Sequence, residues 1–284
     1  MSDSRKYLRI PLLLCVLLGM GVNLPLTWSQ GGRFHAAAWN PVDNTIAISD
    51  GFDVSIYTDS FELQQSFVLF QRGSSAGSVD DIYMEWSPDG QLLAIHIVGD
   101  VSPNSSRLIQ IWDTSSMTLL SEFSNIKAPI SLSGRQFAWQ PGSTSFAAVY
   151  FYDSNVNAQT LNQYDAILDE LSAEWMPGKV FGRIEEPVWF PDGSKLAMFI
   201  NGQLQIWDTA TKTSEFTLAE PVFFEVRPRF SPDGQYMAFV NIEAPYEIQI
   251  WRTSPFEYDR TIPGIDEYIA QIEWTPLGVH AEYY

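Results

Sequence analysis

The 284-residue chain contains one cysteine, Cys15, three histidines, His35, His96 and His280, and only 16 Lys and Arg residues against 34 Asp and Glu. Each scarcity excludes some chemistry. Cys15 lies in the N-terminal apolar run, so everything after it is without a thiol nucleophile, a disulfide or a thiolate metal site. None of the histidines adjoins a candidate nucleophile, and neither a G-x-S-x-G elbow nor an H-E-x-x-H helix occurs. The carboxylate pairs Asp80-Asp81 and Glu185-Glu186 lack the D-x-D-x-D-G spacing that wraps a calcium ion. "GGRF" at Gly31 precedes a strand-like run and opens no helix, so it is not a phosphate cradle. No catalytic residue, cofactor or metal is assigned. The formal net charge is −18, with no Lys/Arg cluster after Arg9. That balance disfavours nucleic acid and anionic lipid, which both need cations to neutralise phosphate. Solubility is its simplest consequence.

Long apolar runs are equally scarce. The one present, "IPLLLCVLLGMGV", follows Arg5, Lys6 and Arg9 and leads into "NLPLTWSQ", where the small residues Thr27 and Ser29 suit a signal peptidase. Residues 1–29 therefore read as a secretory signal and 30–284 as a mature domain exported to the periplasm or outside the cell. The alternative is an uncleaved membrane anchor. Against it, the run is shorter than the roughly 20 residues of a usual span and is interrupted by Gly19, Gly21 and Pro25. Cys15 sits between Leu14 and Val16, without the small residues that precede an acylated bacterial cysteine. Cleavage would remove three bases and one acid, so 16 against 34 becomes 13 against 33 and the net charge −20.

Aromatic and apolar residues are plentiful, at 14% and 45%, enough for a large core in one or two domains. They recur in a pattern. "WSPDGQLLAI" at Trp86, "WFPDGSKLAMFI" at Trp189 and "FSPDGQYMAFV" at Phe230 repeat one statement: apolar alternation, a Pro-Asp-Gly turn, apolar alternation. Proline presets φ, aspartate tolerates the bridge region and glycine supplies a left-handed residue, which predicts a three-residue hairpin loop between strands.

An aromatic, a spacer and a proline recur at Trp39-Asn40-Pro41, Trp86-Ser87-Pro88, Trp139-Gln140-Pro141, Trp189-Phe190-Pro191, Phe230-Ser231-Pro232 and Trp274-Thr275-Pro276. The prolines are 47, 53, 50, 41 and 44 residues apart. A period of this length with several short strands per unit predicts propeller blades. Only "QYDAILDELSAEW", from Gln163 to Trp175, has a helix-compatible pattern. A second landmark falls between anchors: "LIQIWDTSS" ending a strand at Trp112-Asp113, "LQIWDTAT" at Trp207-Asp208 and "EIQIWRTS" at Trp251-Arg252, with weaker counterparts at Tyr57-Thr58 and Tyr164-Asp165. The predicted unit is strand a up to the anchor, b after the turn, c ending in the aromatic pair, and d beyond. The Asp or Thr after the strand-c aromatic would bond the c-to-d turn.

The "IWDT" endings resemble WD-repeat β-propellers, and the "SPDGQYMAFV" strands resemble the TolB-type propeller repeats of bacterial envelope proteins. The resemblance covers residues 31–284 and departs from the eukaryotic pattern in lacking the glycine-histidine pair before strand a. It implies an all-β propeller of four-stranded antiparallel blades, five full repeats plus a partial sixth that spans Trp274 with room for strand a and part of b. Either five blades close with an accessory hairpin, or an exposed edge is covered by a partner.

Acidic residues recur near the d-to-a junctions: Asp80 and Asp81 before Trp86, Glu185 and Glu186 before Trp189, Glu225 before Phe230, and Asp266 and Glu267 before Trp274. In a propeller such junctions gather on one face, where these seven carboxylates would form an acidic rim suited to a basic protein segment. The plainer reading is that entry loops are wet and therefore polar. The insert "VGDVSPNSSR", Val98 to Arg107, would be a mobile loop on the same face. The recurrent tryptophans read as packing between blades. The function that follows is an exported, non-catalytic propeller that binds or scaffolds a protein partner. Its rivals are a propeller hydrolase or lyase acting on a small carbohydrate or lactone, betrayed by convergent histidines such as His96, and a membrane-tethered ligand sensor.

Overall fold

The computed structural model describes residues 36–69, 79–102, 105–123, 137–153, 158–166, 170–174, 180–181, 184–218, 228–240, 247–263, 269–275 and 278–283. The signal-peptide reading of 1–29 falls outside them. Among the described residues no helix is long and apolar enough to cross a membrane. The chain divides into two compact units, Met1–Ile126 and Lys127–Tyr284.

The first unit holds two sheets. One is β1 (Ala36–Trp39), β2 (Ile46–Ser49), β3 (Asp53–Tyr57) and β4 (Leu63–Val68); the other is β5 (Val79–Trp86), β6 (Leu92–Ser102), β7 (Ser105–Asp113) and β8 (Thr118–Phe123). In both, spatial order follows chain order and every pairing is antiparallel. The second unit begins with β9 (Phe137–Trp139), β10 (Ser145–Asp153), β11 (Ala158–Asp165) and β12 (Glu170–Glu174), with β13 (Val180–Phe181) also paired to β11. Two more four-stranded sheets follow, β14 (Ile184–Trp189) to β15 (Lys195–Ile200), β16 (Gln203–Asp208) and β17 (Ser214–Thr217), then β18 (Arg229–Phe230) to β19 (Tyr236–Val240), β20 (Ile248–Thr253) and β21 (Phe256–Ile262). The last sheet pairs β22 (Ile269–Thr275) with β23 (Gly278–Tyr283). Among the described residues, four four-stranded sheets, one sheet with the same four-strand order plus β13, and a two-stranded sixth match the expected layout, each strand a ending at or beside its anchor.

The b strands are apolar on both faces, whereas c strands such as β3 and β16 alternate buried and half-buried residues. β2 is buried throughout, and Leu196 to Ile200 of β15 form a continuous buried run. In the first unit Val54, Ile56 and Phe67 of one sheet join Met84, Trp86 and Leu93 of the next in one core. In the second, Val149 and Leu161 meet Ile184 and Leu196, Phe199 and Ile206 meet Met237 and Phe239, and Ala238 and Ile250 meet Ile269 and Ile272. The helix-compatible segment is strand where it is described: Gln163 pairs with Ala173 and Tyr164 with Leu171. Tyr164 also stacks on Phe146 at 5.7 Å. Pairing and burial against β10 override a weak helical preference.

The a-to-b loop is longer than its sequence suggests. Ser87 N donates to Leu92 O at 2.8 Å and Gly90 N to Ser87 O at 2.9 Å, which encloses the four residues 88–91 rather than three. Asp89 is the reason: its Oδ1 accepts from Gln91 N at 3.1 Å and from Ser87 Oγ at 2.6 Å, and Ser87 Oγ accepts from Leu92 N at 2.9 Å. The side chain thus takes the donor that a shorter loop would place in the ladder. Asp233 with Ser231 and Gln235 repeats this network, and Asp192 likewise accepts from Ser194. The glycines are left-handed, at φ 70°, 71° and 69° for Gly90, Gly193 and Gly234.

The c-to-d turns follow the expected Asp chemistry. Asp113 Oδ1 accepts from Ser115 N at 2.8 Å and Ser116 N at 3.0 Å, and Asp208 Oδ1 from Ala210 N at 3.0 Å and Thr211 N at 2.7 Å. Thr58, directly after the strand-c aromatic Tyr57, accepts from Glu62 N at 3.0 Å as expected; one position further along, Thr114, Thr209 and Thr253 donate their hydroxyls across to the a-to-b turn, at Gln91 O, Ser194 O and Gly234 O. Opposite the strand-c aromatic a register shift recurs, at Ile56/Tyr57, Ile111/Trp112, Ile206/Trp207 and Ile250/Trp251. Such bulges increase the local twist of each outer pair.

These turns make stability acid-sensitive. Bonds to Ser115 and Ser116 hold Asp113 below the usual aspartate pKa, and those to Ser194, Thr211 and Ser231 do so for Asp192, Asp208 and Asp233. A depressed folded pKa gives stability that is present above the unfolded value and lost as pH falls through the folded one. The melting temperature is therefore expected to fall as pH drops below about 4, and Asp→Asn at all four positions should flatten that slope. An unchanged slope in the variant, followed by calorimetry, would show that these carboxylates are not proton-linked to folding.

Candidate functional site

Each unit carries its own candidate surface, where strand a of one sheet begins beside the b-to-c connection of the same sheet. Asp80 and Asp81 are within β5, not in a loop before it: Asp81 pairs with Val98, and the register shifts between Val79 and Asp81. Glu185 and Glu186 are likewise within β14, where Glu185 pairs with Phe199 and the register shifts before Val188. Two sheets thus carry a carboxylate pair on a bulged strand entry. Bulges there interrupt the ladder and re-aim side chains. Asp81 is half-buried. Glu225, Asp266 and Glu267 lie outside the described residues.

The adjoining b-to-c connections differ in length. β15 and β16 are joined by Asn201-Gly202, both at positive φ, a tight hairpin turn. In the second sheet the described residues of the insert, 98–102 and 105–107, are instead strand: β6 and β7 continue past the start of β5, out to Ser102 opposite Ser105. This corrects the reading of a loose loop, which gave Pro103 and the serines more weight than the ladder on either side of them. β10 and β11 form a similar ribbon, closing at Asp153 opposite Ala158. In each of these two sheets the ribbon extends the backbone ladder beyond the strand-a entry.

His96 does not join the acidic residues. It is fully buried on β6, opposite Tyr83 and Ile109, with its ring stacked on Tyr83 at 5.8 Å. Among the described residues no group of three or more His, Cys, Asp or Glu side chains is placed to hold a metal ion.

The tryptophans have structural assignments that sequence spacing alone did not disclose. Trp86 Nε1 donates to Ala38 O at 3.0 Å, Trp189 Nε1 to Ala138 O at 3.1 Å and Trp274 Nε1 to Arg229 O at 3.0 Å. Each bond runs to strand a of the preceding sheet, one residue before that sheet's anchor. Where the anchor is Phe230, which has no N–H, it packs on Phe190 at 4.7 Å instead. On strand c, Trp112, Trp207 and Trp251 each donate to the glutamine two residues earlier, Gln110, Gln205 and Gln249, at 3.0 Å. The signal was visible as "QIW" in all three repeats: residues two apart share a strand face.

Recurrent four-stranded antiparallel sheets with this strand order are the blades of a WD40-like β-propeller. Among solved structures, the chain is similar to a WD40 propeller chain in a crystal structure of a mitotic checkpoint complex, with 16% identity, a TM-score of 0.60 and coverage of 88% of this chain and 69% of that one. In all 1117 solved chains match, a breadth that defines architecture and leaves function to the site. No family model matches the sequence, and no curated protein does.

Proposed function

We propose that this chain is an exported, TolB-like propeller that binds a protein partner without catalysis, using the carboxylates at its strand-a entries to receive basic segments. The observation that carries the reading is the recurrence, in two sheets, of a carboxylate pair on a strand entry whose ladder is interrupted by a register shift, Asp80-Asp81 on β5 and Glu185-Glu186 on β14. A chain of net charge −18 attracts cationic partners and repels nucleic acid.

The test is affinity capture with mild crosslinking from the envelope fraction of the native host, the chain from Gln30 serving as bait. A stoichiometric protein is expected to be retained, and Asp80→Asn, Asp81→Asn, Glu185→Gln and Glu186→Gln together should reduce its recovery by roughly tenfold or more, as for loss of several interfacial charges. Full retention by the neutralised bait would refute the acidic entries as the binding surface. N-terminal sequencing of the envelope protein tests export: a start near Gln30 is expected, and a start at Met1 would make the N-terminal run an anchor.

A further inference from the structure

The outer strand of a propeller blade presents unpaired backbone groups to solvent, and such edges are usually guarded by charge, proline or short length. In this chain most outer strands carry a guard. β8 contains Glu122, β12 is bounded by Glu170 and Glu174, β17 contains Glu215 paired with Lys195 at 2.7 Å, and β21 contains Glu257, Asp259 and Arg260. β4, "LQQSFV", contains no charged residue and no proline. Its Leu63 and Val68 are 58% and 56% exposed, while Phe67 turns inward and stacks on Trp112 at 4.2 Å.

Register decides which backbone groups are free to pair. Among the described residues β4 pairs only with β3, and Leu69 N donates to Phe52 O at 2.7 Å. Hydrogen-bonded pairs alternate along an antiparallel ladder, so Val54 with Phe67 and Ile56 with Gln65 are the next ones. The N–H and C=O groups of Ser66 and Val68 therefore face outward, and the alternation stops at Gln65, where the register shifts. Charge limits what can be added there. Residues 36–69 contain Asp43, Asp50, Asp53, Asp59 and Glu62 and no Lys, Arg or His. Asp59 and Glu62 precede β4 at one end, and Asp53 lies opposite Val68 at the other. A second copy of so acidic a chain would meet repulsion, whereas a segment with cations at both ends would meet complementary charge.

We propose that the free edge of β4 binds an extended protein segment with an apolar centre and Lys or Arg on both flanks, which adds to the first blade as a fifth strand. Backbone bonds to Ser66 and Val68 provide affinity, contact with Leu63 and Val68 selects apolar residues, and the flanking carboxylates select the cations. This surface is separate from the strand-a entries and does not depend on them.

The probe is a fluorescein-labelled peptide, KKVTVTVKK, titrated with the full chain and read by anisotropy, with EEVTVTVEE as the charge control. Ser66→Pro removes an outward N–H without touching the β3 ladder, and Val68→Lys places a guarding charge on an exposed site. The lysine-flanked peptide should bind, each variant should weaken it roughly tenfold or more, and amide exchange at Ser66 and Val68 should slow on binding. The four-residue neutralised variant should bind the peptide as the parent does. The proposal is overturned by absence of binding, by equal binding of the glutamate-flanked peptide, or by indifference to both substitutions. A concentration-dependent dimer abolished by Val68→Lys would likewise overturn it, because the occupant would then be a second copy.

Discussion

Trp86→Ala is expected to lower the unfolding free energy by about 3–5 kcal/mol, the range for emptying a large buried aromatic site. Trp86 is 6% exposed, lies in the core shared by the first two sheets and donates its indole N–H to Ala38 O. Alanine would leave a cavity between two sheets and remove the bond that ties them. Trp86→Phe separates the two effects: it keeps most of the ring and should cost about 1 kcal/mol, the value of a hydrogen bond. Phe230 shows that the repeat tolerates phenylalanine at this position when another ring packs beside it. Urea unfolding measures both, with Val42→Ala at an exposed site as the control. A loss for Trp86→Phe as large as that for Trp86→Ala would mean that packing contributes little at this interface.

Gly90→Ala should cost about 2–4 kcal/mol, more than the strain of a left-handed alanine alone. A Cβ at Gly90 would lie 2.4 Å from Asn40 Oδ1. Asn40 has no easy retreat: it is buried, its Nδ2 donates to Gly90 O at 3.1 Å and its Oδ1 accepts from Val42 N at 2.9 Å. In an Asn40→Ala background the same glycine substitution should cost only about 1–2 kcal/mol, so a double-mutant cycle reads the contact directly. Gly193 is the comparison. Its φ is 71°, but a Cβ there would meet its nearest neighbour, Pro141 O, at an ordinary 3.6 Å. Equal losses at the two glycines would show that backbone strain, not the Asn40 contact, sets the cost.

The blade plan was legible because the signals that carry it are local. Pro-Asp-Gly turns mark the a-to-b hairpins, Trp112-Asp113 and Trp207-Asp208 mark the end of strand c, and the spacing of the anchors counts the units. What escaped depends on partners distant in sequence or on side chains that compete with the ladder. Asp89 lengthens its loop by bonding Gln91 N, and Trp86 finds its acceptor 48 residues earlier. Pairing across the sheet turned the described residues of a loop-like insert at Val98 to Arg107 and of a helix-like run near Tyr164 into strands. Asp80, Asp81, Glu185 and Glu186 read from sequence as junction residues before strand a, and pairing across the sheet places them within it, on bulged segments. The edge of β4 was illegible for another reason. An unguarded outer strand stands out only when its register and the charges of the other outer strands are compared.

The central claim, that acidic strand entries receive a basic partner, is tested most directly by zero-length carbodiimide coupling of the captured complex, which joins carboxylates to lysine amines in contact. The account predicts crosslinked peptides carrying Asp80, Asp81, Glu185 or Glu186 attached to lysines of the partner. Crosslinks confined to the opposite ends of the sheets, at the turn carboxylates Asp113, Asp192, Asp208 or Asp233, would contradict it.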